Sequence, residues 1–150
     1  MNNPIVAAMR TKIGEVMHDS PSHLMRWFQT ILTEVDEGRI VAKMQIRQEM
    51  INPIGTLHGG VFAAFADDLI GATVFTIPTT HHFVSSHINT EFFLPAKLGD
   101  EITGITETTH RGRTLINITC TIYGAKNRLL ARATSTLVSS GIEKKATSEN

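Results

Sequence analysis

The segment Asn52-Pro53-Ile54-Gly55-Thr56-Leu57-His58-Gly59-Gly60 runs directly into an apolar stretch, Val61 to Ile77, whose only charged residues are the adjacent pair Asp67 and Asp68. A carboxylate inside an apolar helix is costly unless it is paired, hydrogen-bonded or neutralised, and acids in such settings concentrate at functional sites. The glycine pair is the second reactive element. At the start of a helix, Gly59 and Gly60 leave backbone N–H groups unshielded by side chains, where the first turn presents unpaired donors and a partial positive charge. Oxyanions bind at such places. Asp67 follows Gly59 by eight positions, which at about 1.5 Å per residue separates them by roughly 12 Å along the axis, with only about 3 Å recovered by the backward lean of the side chain. One helix cannot bring both groups to one carbonyl. If they act together, donor and acid come from two copies of the chain related by a two-fold axis, which generates two identical sites. Asp68, turned about 100° from its neighbour, is expected to meet a polar partner at an interface.

The elements that must hold these residues can be read from periodicity. Ile5, Val6, Met9, Ile13, Val16 and Met17 recur at three- and four-residue spacings, which predicts one amphipathic helix over Ile5 to Met17. Ser20-Pro21 reads as a cap followed by a first-turn proline, opening a short helical segment through Phe28. From Ile31 the period becomes two. Ile31, Thr33 and Val35, a turn at Asp36 to Arg39, and Ile40, Ala42, Met44 and Ile46 make a hairpin with one buried face. The apolar helix ends near Ile77-Pro78. Strands follow, with Val84, Ser86, Ile88, Thr90, Phe92 and Leu94 on one face of the first, a second over Asp100 to Arg111 with a bulge expected at Gly104, a third over Ile116 to Tyr123, and a last over Leu129 to Ser139. Gly141 to Asn150 reads as a polar, frayed tail. The resulting organisation is a helical extension over 1–28, a main domain over 29–140 and a tail over 141–150. The fold class is α+β, an antiparallel sheet wrapped around one central helix. A helix apolar on nearly every side needs cover beyond what one sheet gives, either from the N-terminal helices or from a second subunit.

Composition narrows the partners. The 14 basic and 14 acidic residues balance, so no electrostatic footprint for nucleic acid or an anionic membrane is present. Cys120 is the single cysteine, which excludes an intrachain disulfide framework and suits a reducing cytoplasm, and no stretch reads as a secretory signal. The two aspartates argue against a membrane span through Gly59 to Ile77. His81, His82 and His87 form the densest histidine group, but no second cluster has ligand spacing, so no metal site is expected.

Asn-Pro-x-Gly-x-x-His-Gly-Gly, followed by an apolar helix with Asp67 nine positions after His58, resembles the hot-dog-fold acyl-CoA thioesterases of the phenylacetate-degradation (PaaI-like) type. The likeness runs from about Ile40 to Val138 and includes Val84-Ser85-Ser86-His87-Ile88-Asn89 and Leu94-Pro95-Ala96-Lys97-Leu98-Gly99-Asp100. It implies a curled antiparallel sheet around the helix, dimers or dimers of dimers, and hydrolysis of a CoA thioester at the subunit interface without metal or cofactor. By position it implies that Gly59 gives the oxyanion N–H, that His58 and Asn52 shape the loop, that Asp67 is general base or nucleophile, and that Ser85 orients the attacking water. Gly60 adds to the donor pair. His87 stands near Ser85 and is placed to contact Asp67 or the acyl group, and Arg111 and Arg113, flanking Gly112 at a turn, can pair with CoA phosphates.

A helix N-terminus suits the negative charge that a thioester carbonyl develops, and a carboxylate can take a proton from water or attack directly. Two other readings stand beside hydrolysis. Hydration or dehydration of an acyl thioester needs a histidine paired with an acid, a role open to His87. A non-catalytic acyl-CoA binder needs neither. The acyl group itself, whether aryl, hydroxy-aryl or medium-chain, is not written in the sequence.

Overall fold

The computed structural model describes residues 2–145 of the 150. Two short helices, α1 (Pro4–Arg10) and α2 (His23–Phe28), precede a hairpin of β1 (Ile31–Asp36) and β2 (Arg39–Gln45), and a long helix α3 (Gly59–Phe75) follows. Four strands complete the chain: β3 (His81–Phe92), β4 (Glu101–Arg111), β5 (Leu115–Tyr123) and β6 (Leu129–Glu143). All six strands form one antiparallel sheet in the order β1-β2-β4-β5-β6-β3, curled around α3, which packs against β2 to β6. The expected wrap of a sheet around one helix is the observed architecture.

The alternation seen in the sequence explains the core. Ile116, Ile118, Cys120 and Ile122 of β5 point one way and are fully buried, as are Ile40, Ala42 and Met44 of β2. They meet Phe65, Leu69 and Ile70 of α3. Burying each large side chain contributes roughly 1.5–3 kcal/mol, so this face of α3 dominates its docking. Cys120 is sealed within this layer, and burial pushes its thiol up to about 12.

One polar seam crosses the apolar layer. The Thr73 hydroxyl donates to the Leu69 carbonyl at 2.7 Å and lies 2.6 Å from the Thr106 hydroxyl. That oxygen in turn accepts from the Ile40 N–H at 2.9 Å. Thr76, one turn beyond Thr73, accepts from the Gly38 N–H at 2.8 Å. The C-terminal half of α3 is thereby fixed in register against β2 and β4, which sets the rotation of Asp67 two turns earlier.

Several sequence expectations shift. The first α-helix stops at Arg10, where i→i−3 bonds carry the chain through Ile13; Gly14 then takes a φ of +87°, a conformation that L side chains resist, and Val16 leaves the helical stripe to bridge Ile31 of β1. Val6 and Met17 still reach the common core, so the N-terminal extension and the sheet share one buried cluster. The cap of α2 is Ser22, whose hydroxyl accepts from the Met25 N–H at 3.2 Å, and Ser20 and Pro21 precede it. Gly104 pairs with Ala42 without a bulge. A Cβ there would stand 2.5 Å from Leu69 Cδ1, so the glycine is required by the close approach of α3. The alternation of β3 breaks at Ser86, where the register with β6 slips by one residue. Phe83 and Ser85 therefore share the inner face with Ile88, Thr90 and Phe92, and Val84 turns outward. The tail expected from Gly141 begins later, since β6 continues to Glu143; residues 146–150 lie outside the described residues. Among the described residues no helix is long and apolar enough to cross a membrane.

Candidate active site

The loop before α3 is built by Asn52. Its side-chain oxygen accepts from the N–H groups of Ile54 and Thr56 at 3.2 and 3.0 Å, and its amide donates to the Thr56 hydroxyl at 2.9 Å. Both polar atoms of that side chain bond within the loop, so Asn52 fixes the loop's shape. Leu94 to Asp100 holds the loop from outside: the Leu57 N–H donates to the Ala96 carbonyl at 2.8 Å, and Thr56 bridges Lys97. Asp100 steadies that segment by accepting from the Lys97 N–H at 2.9 Å.

His58 is the cap residue of α3 yet offers no side-chain cap, and its ring is exposed; its own N–H donates to the Met50 carbonyl at 3.0 Å. Its carbonyl takes the N–H groups of Val61 and Phe62, leaving Gly59 and Gly60 as the donors at the tip. Among the described residues neither glycine N–H has an acceptor. Phe92 of β3 closes over Gly59, where a Cβ would stand 3.2 Å from its ring, while nothing approaches Gly60. A free pair of N–H groups at a helix start, bounded on one side by an aromatic ring, is a ready seat for an oxyanion.

Two turns along α3, Asp67 is half-buried and faces β3, where the Ser85 hydroxyl stands 3.4 Å from Oδ1. Behind it, Ser135 of β6 lies 3.5 Å from the Ser85 oxygen and donates to the His87 carbonyl at 2.9 Å. Ser135 is missing from the sequence reading because only the β3–β6 register brings it there. The slip at Ser86 carries the His87 side chain to the outer face of the sheet, opposite Thr136 and beside Asn117 and Thr134. The expected contact of His87 with Asp67 is not made, and the histidine–acid pair that hydratase chemistry needs is not supplied by His87.

Asp68 finds its polar partner within its own chain: the Ser22 hydroxyl donates to Oδ1 at 2.5 Å, while Oδ2 is buried without a partner. Burial pushes this carboxyl above the ordinary carboxylate range; the Ser22 bond opposes the shift and the nearby charge of Asp67 adds to it. A cavity of about 530 Å³ opens beside both aspartates, between α3 and the N-terminal helices. A larger depression, about 830 Å³, lies at the opposite end of α3 around Asn3, Pro78 and Lys144 and holds none of the candidate residues. Arg111 is tied there to Glu37 at 2.8 Å and to the Pro78 carbonyl at 3.0 Å, and Arg113 lines a neighbouring hollow. Within one chain, then, Asp67 and Ser85 come together, Asn52, His58, Gly59 and Gly60 form a second group, and the two arginines a third.

The sequence model of the thioesterase superfamily matches residues 54–131, from the loop before α3 to the start of β6. The chain belongs to the thioesterase superfamily. Within the superfamily it is similar to human acyl-coenzyme A thioesterase 13, with 31% identity over 84 residues, 56% of this chain and 60% of that protein. The chain thus matches somewhat under two thirds of that relative's length. It is also similar to the putative esterase ComA2 of Bacillus subtilis, with 34% identity over 108 residues, 71% of this chain and 85% of that one. The fold is that of the E. coli PaaI protein from the phenylacetic acid degradation operon, at a TM-score of 0.78 and 18% identity over 93% of this chain and 94% of the other. This PaaI-like, hot-dog arrangement is the one that the motif around Gly59 and Asp67 implied.

Proposed function

We propose that the protein hydrolyses an acyl-CoA thioester to the free acid and CoA in sites shared by two copies of the chain. One observation carries the reading: on β3, Ser85 stands beside Asp67 and Phe92 stands beside Gly59. β3 is an edge strand of twelve residues whose far side pairs with no strand of its own sheet. Antiparallel pairing of two such strands, centred between Ile88 and Asn89, sets Ser85 of one copy opposite Phe92 of the other. Gly59 of the second copy then stands alongside Asp67 of the first, which removes the 12 Å separation. The same two-fold brings the Arg111–Arg113 turn of one copy toward the Gly59 end of the other, as cations for the CoA phosphates.

In this arrangement the Gly59 N–H takes the charge that develops on the thioester oxygen, while Asp67, held by Ser85, accepts a proton from the attacking water. Collapse expels the CoA thiolate, which receives that proton. Direct attack by Asp67 uses the same groups through an acyl anhydride that water then opens. A single turnover in ¹⁸O-labelled water that releases unlabelled acid marks direct attack with water opening the anhydride at the Asp67 carboxyl carbon, whereas the general-base route labels the acid. Asp67→Asn and Asp67→Ala should lower CoA release by about 10²–10⁴-fold with the assembly intact. Near-wild-type turnover in both variants across aliphatic and aromatic thioesters overturns the reading.

A further inference from the structure

Gly71 has no explanation inside the chain. It lies inside the 17-residue α3, one turn before its end, where glycine is less favourable than alanine by roughly 1 kcal/mol. Gly104 is demanded by a close neighbour and Gly59 faces the Phe92 ring, but a Cβ on Gly71 would meet no atom within 4 Å. It lies one helical turn beyond Asp67, on the same side of the helix, and it lines the cavity of about 530 Å³ beside that acid. The space above Gly71 is open to an occupant from outside the fold.

The walls say what that is. Opposite Gly71 and Ala72 stand Met9, Met17, Leu24 and Met25 of the N-terminal segment, and Phe75 closes the far end. Unbranched thioethers repack around a flexible chain, whereas a flat ring is better served by rigid aromatic walls, of which Phe75 alone is present. The polar groups of the lining are Asp67, Asp68, Ser20 and Ser22, grouped at the aspartate level of α3. Ser22 fastens the wall in place: its hydroxyl caps α2 and bonds Asp68. From Asp67 to Phe75 the helix rises about 12 Å, the length of roughly eight to ten carbons of an extended alkyl chain at about 1.3 Å each.

We propose that this cavity is the acyl pocket, cut for an unbranched aliphatic chain of about eight to ten carbons, with Gly71 as the residue that keeps its middle open and the Ser22–Asp68 bond as the latch of its outer wall. The inference rests on the thioesterase reading for the head group but is testable without turnover. Non-hydrolysable S-alkyl-CoA thioethers from two to fourteen carbons are titrated into the full chain by calorimetry, beside CoA release from the matching acyl-CoA series and from benzoyl- and phenylacetyl-CoA. Affinity should tighten about fourfold per methylene to roughly the tenth carbon and then level off. In Gly71→Leu the plateau should arrive about three or four carbons earlier, and in Gly71→Ala about one carbon earlier, with the assembly mass unchanged in both. A flat ladder, tighter binding of S-benzyl-CoA, or a plateau that neither variant moves overturns the pocket. Dissociation of the assembly by Gly71→Leu also overturns it, by giving the space to a second copy of the chain. A ladder without hydrolysis leaves the pocket standing and removes the thioesterase reading; hydrolysis without a ladder does the reverse.

Discussion

Asp67 and Asp68 are one position apart and meet different surroundings: Asp67 shares its edge with Ser85, and Asp68 is drawn under α2 with one oxygen unpartnered. Because burial raises its pKa, folded Asp68 holds its proton to a higher pH than the unfolded chain does. Its contribution to stability is therefore complete below the ordinary value of 3.8 and is lost as pH rises through the higher folded value. Asp68→Asn keeps an acceptor for Ser22 and cannot ionise, so it should melt at a higher temperature than wild type near pH 7, with the gap closing toward about pH 4. Thermal melts across that range check it, and a gap that is constant or inverted contradicts it. Asp67 and the glycine pair were legible in the sequence because an acid in an apolar run and two adjacent glycines are local signals. The partner of Asp68 was not, since Ser22 is 46 residues away and only the docking of α2 brings it there.

At the level of elements, one face of α3 is fixed to β4 both by shape, at Gly104, and by hydroxyls, at Thr106. Gly104 lets Leu69 and Phe65 press onto β4, so Gly104→Ala, which would put a Cβ at 2.5 Å from Leu69 Cδ1, should lower stability by about 1–3 kcal/mol in urea unfolding. An unchanged midpoint would show that α3 slides freely on the sheet. The strands and α3 were readable because their periods are long and unbroken. Three departures share a feature: α1 stops at Arg10, β3 slips at Ser86, and Gly104 sits in regular register. Each goes with a contact between elements distant in sequence or with a single left-handed glycine, and period alone carries neither. The slip at Ser86 matters most, because without it Ser85 and Phe92 would lie on opposite faces of β3, against the shared-site proposal.

For the whole molecule, β3 is the exposed matter. Val84 and Phe92 are 52% and 54% exposed along an unpaired edge, a feature that isolated proteins avoid and assemblies use. The shared-site reading predicts complementation. Gly59→Pro removes the candidate donor, and His58 already has the extended backbone that precedes a proline. Neither that variant nor Asp67→Asn should turn over alone, yet subunit exchange between equal amounts should restore about a quarter of wild-type activity, since half the dimers are mixed and each holds one intact site. Mixtures as inactive as their parents would place each site within one chain. The sealing of Cys120 acquires a meaning at this scale. The proposed reaction frees a thiol at each turnover, and such a product, with the mixed disulfides it forms under oxidation, stays in contact with the protein that made it. The one sulfhydryl this chain carries has almost no thiolate near neutrality and no path to solvent, so the folded protein offers its product nothing to couple to.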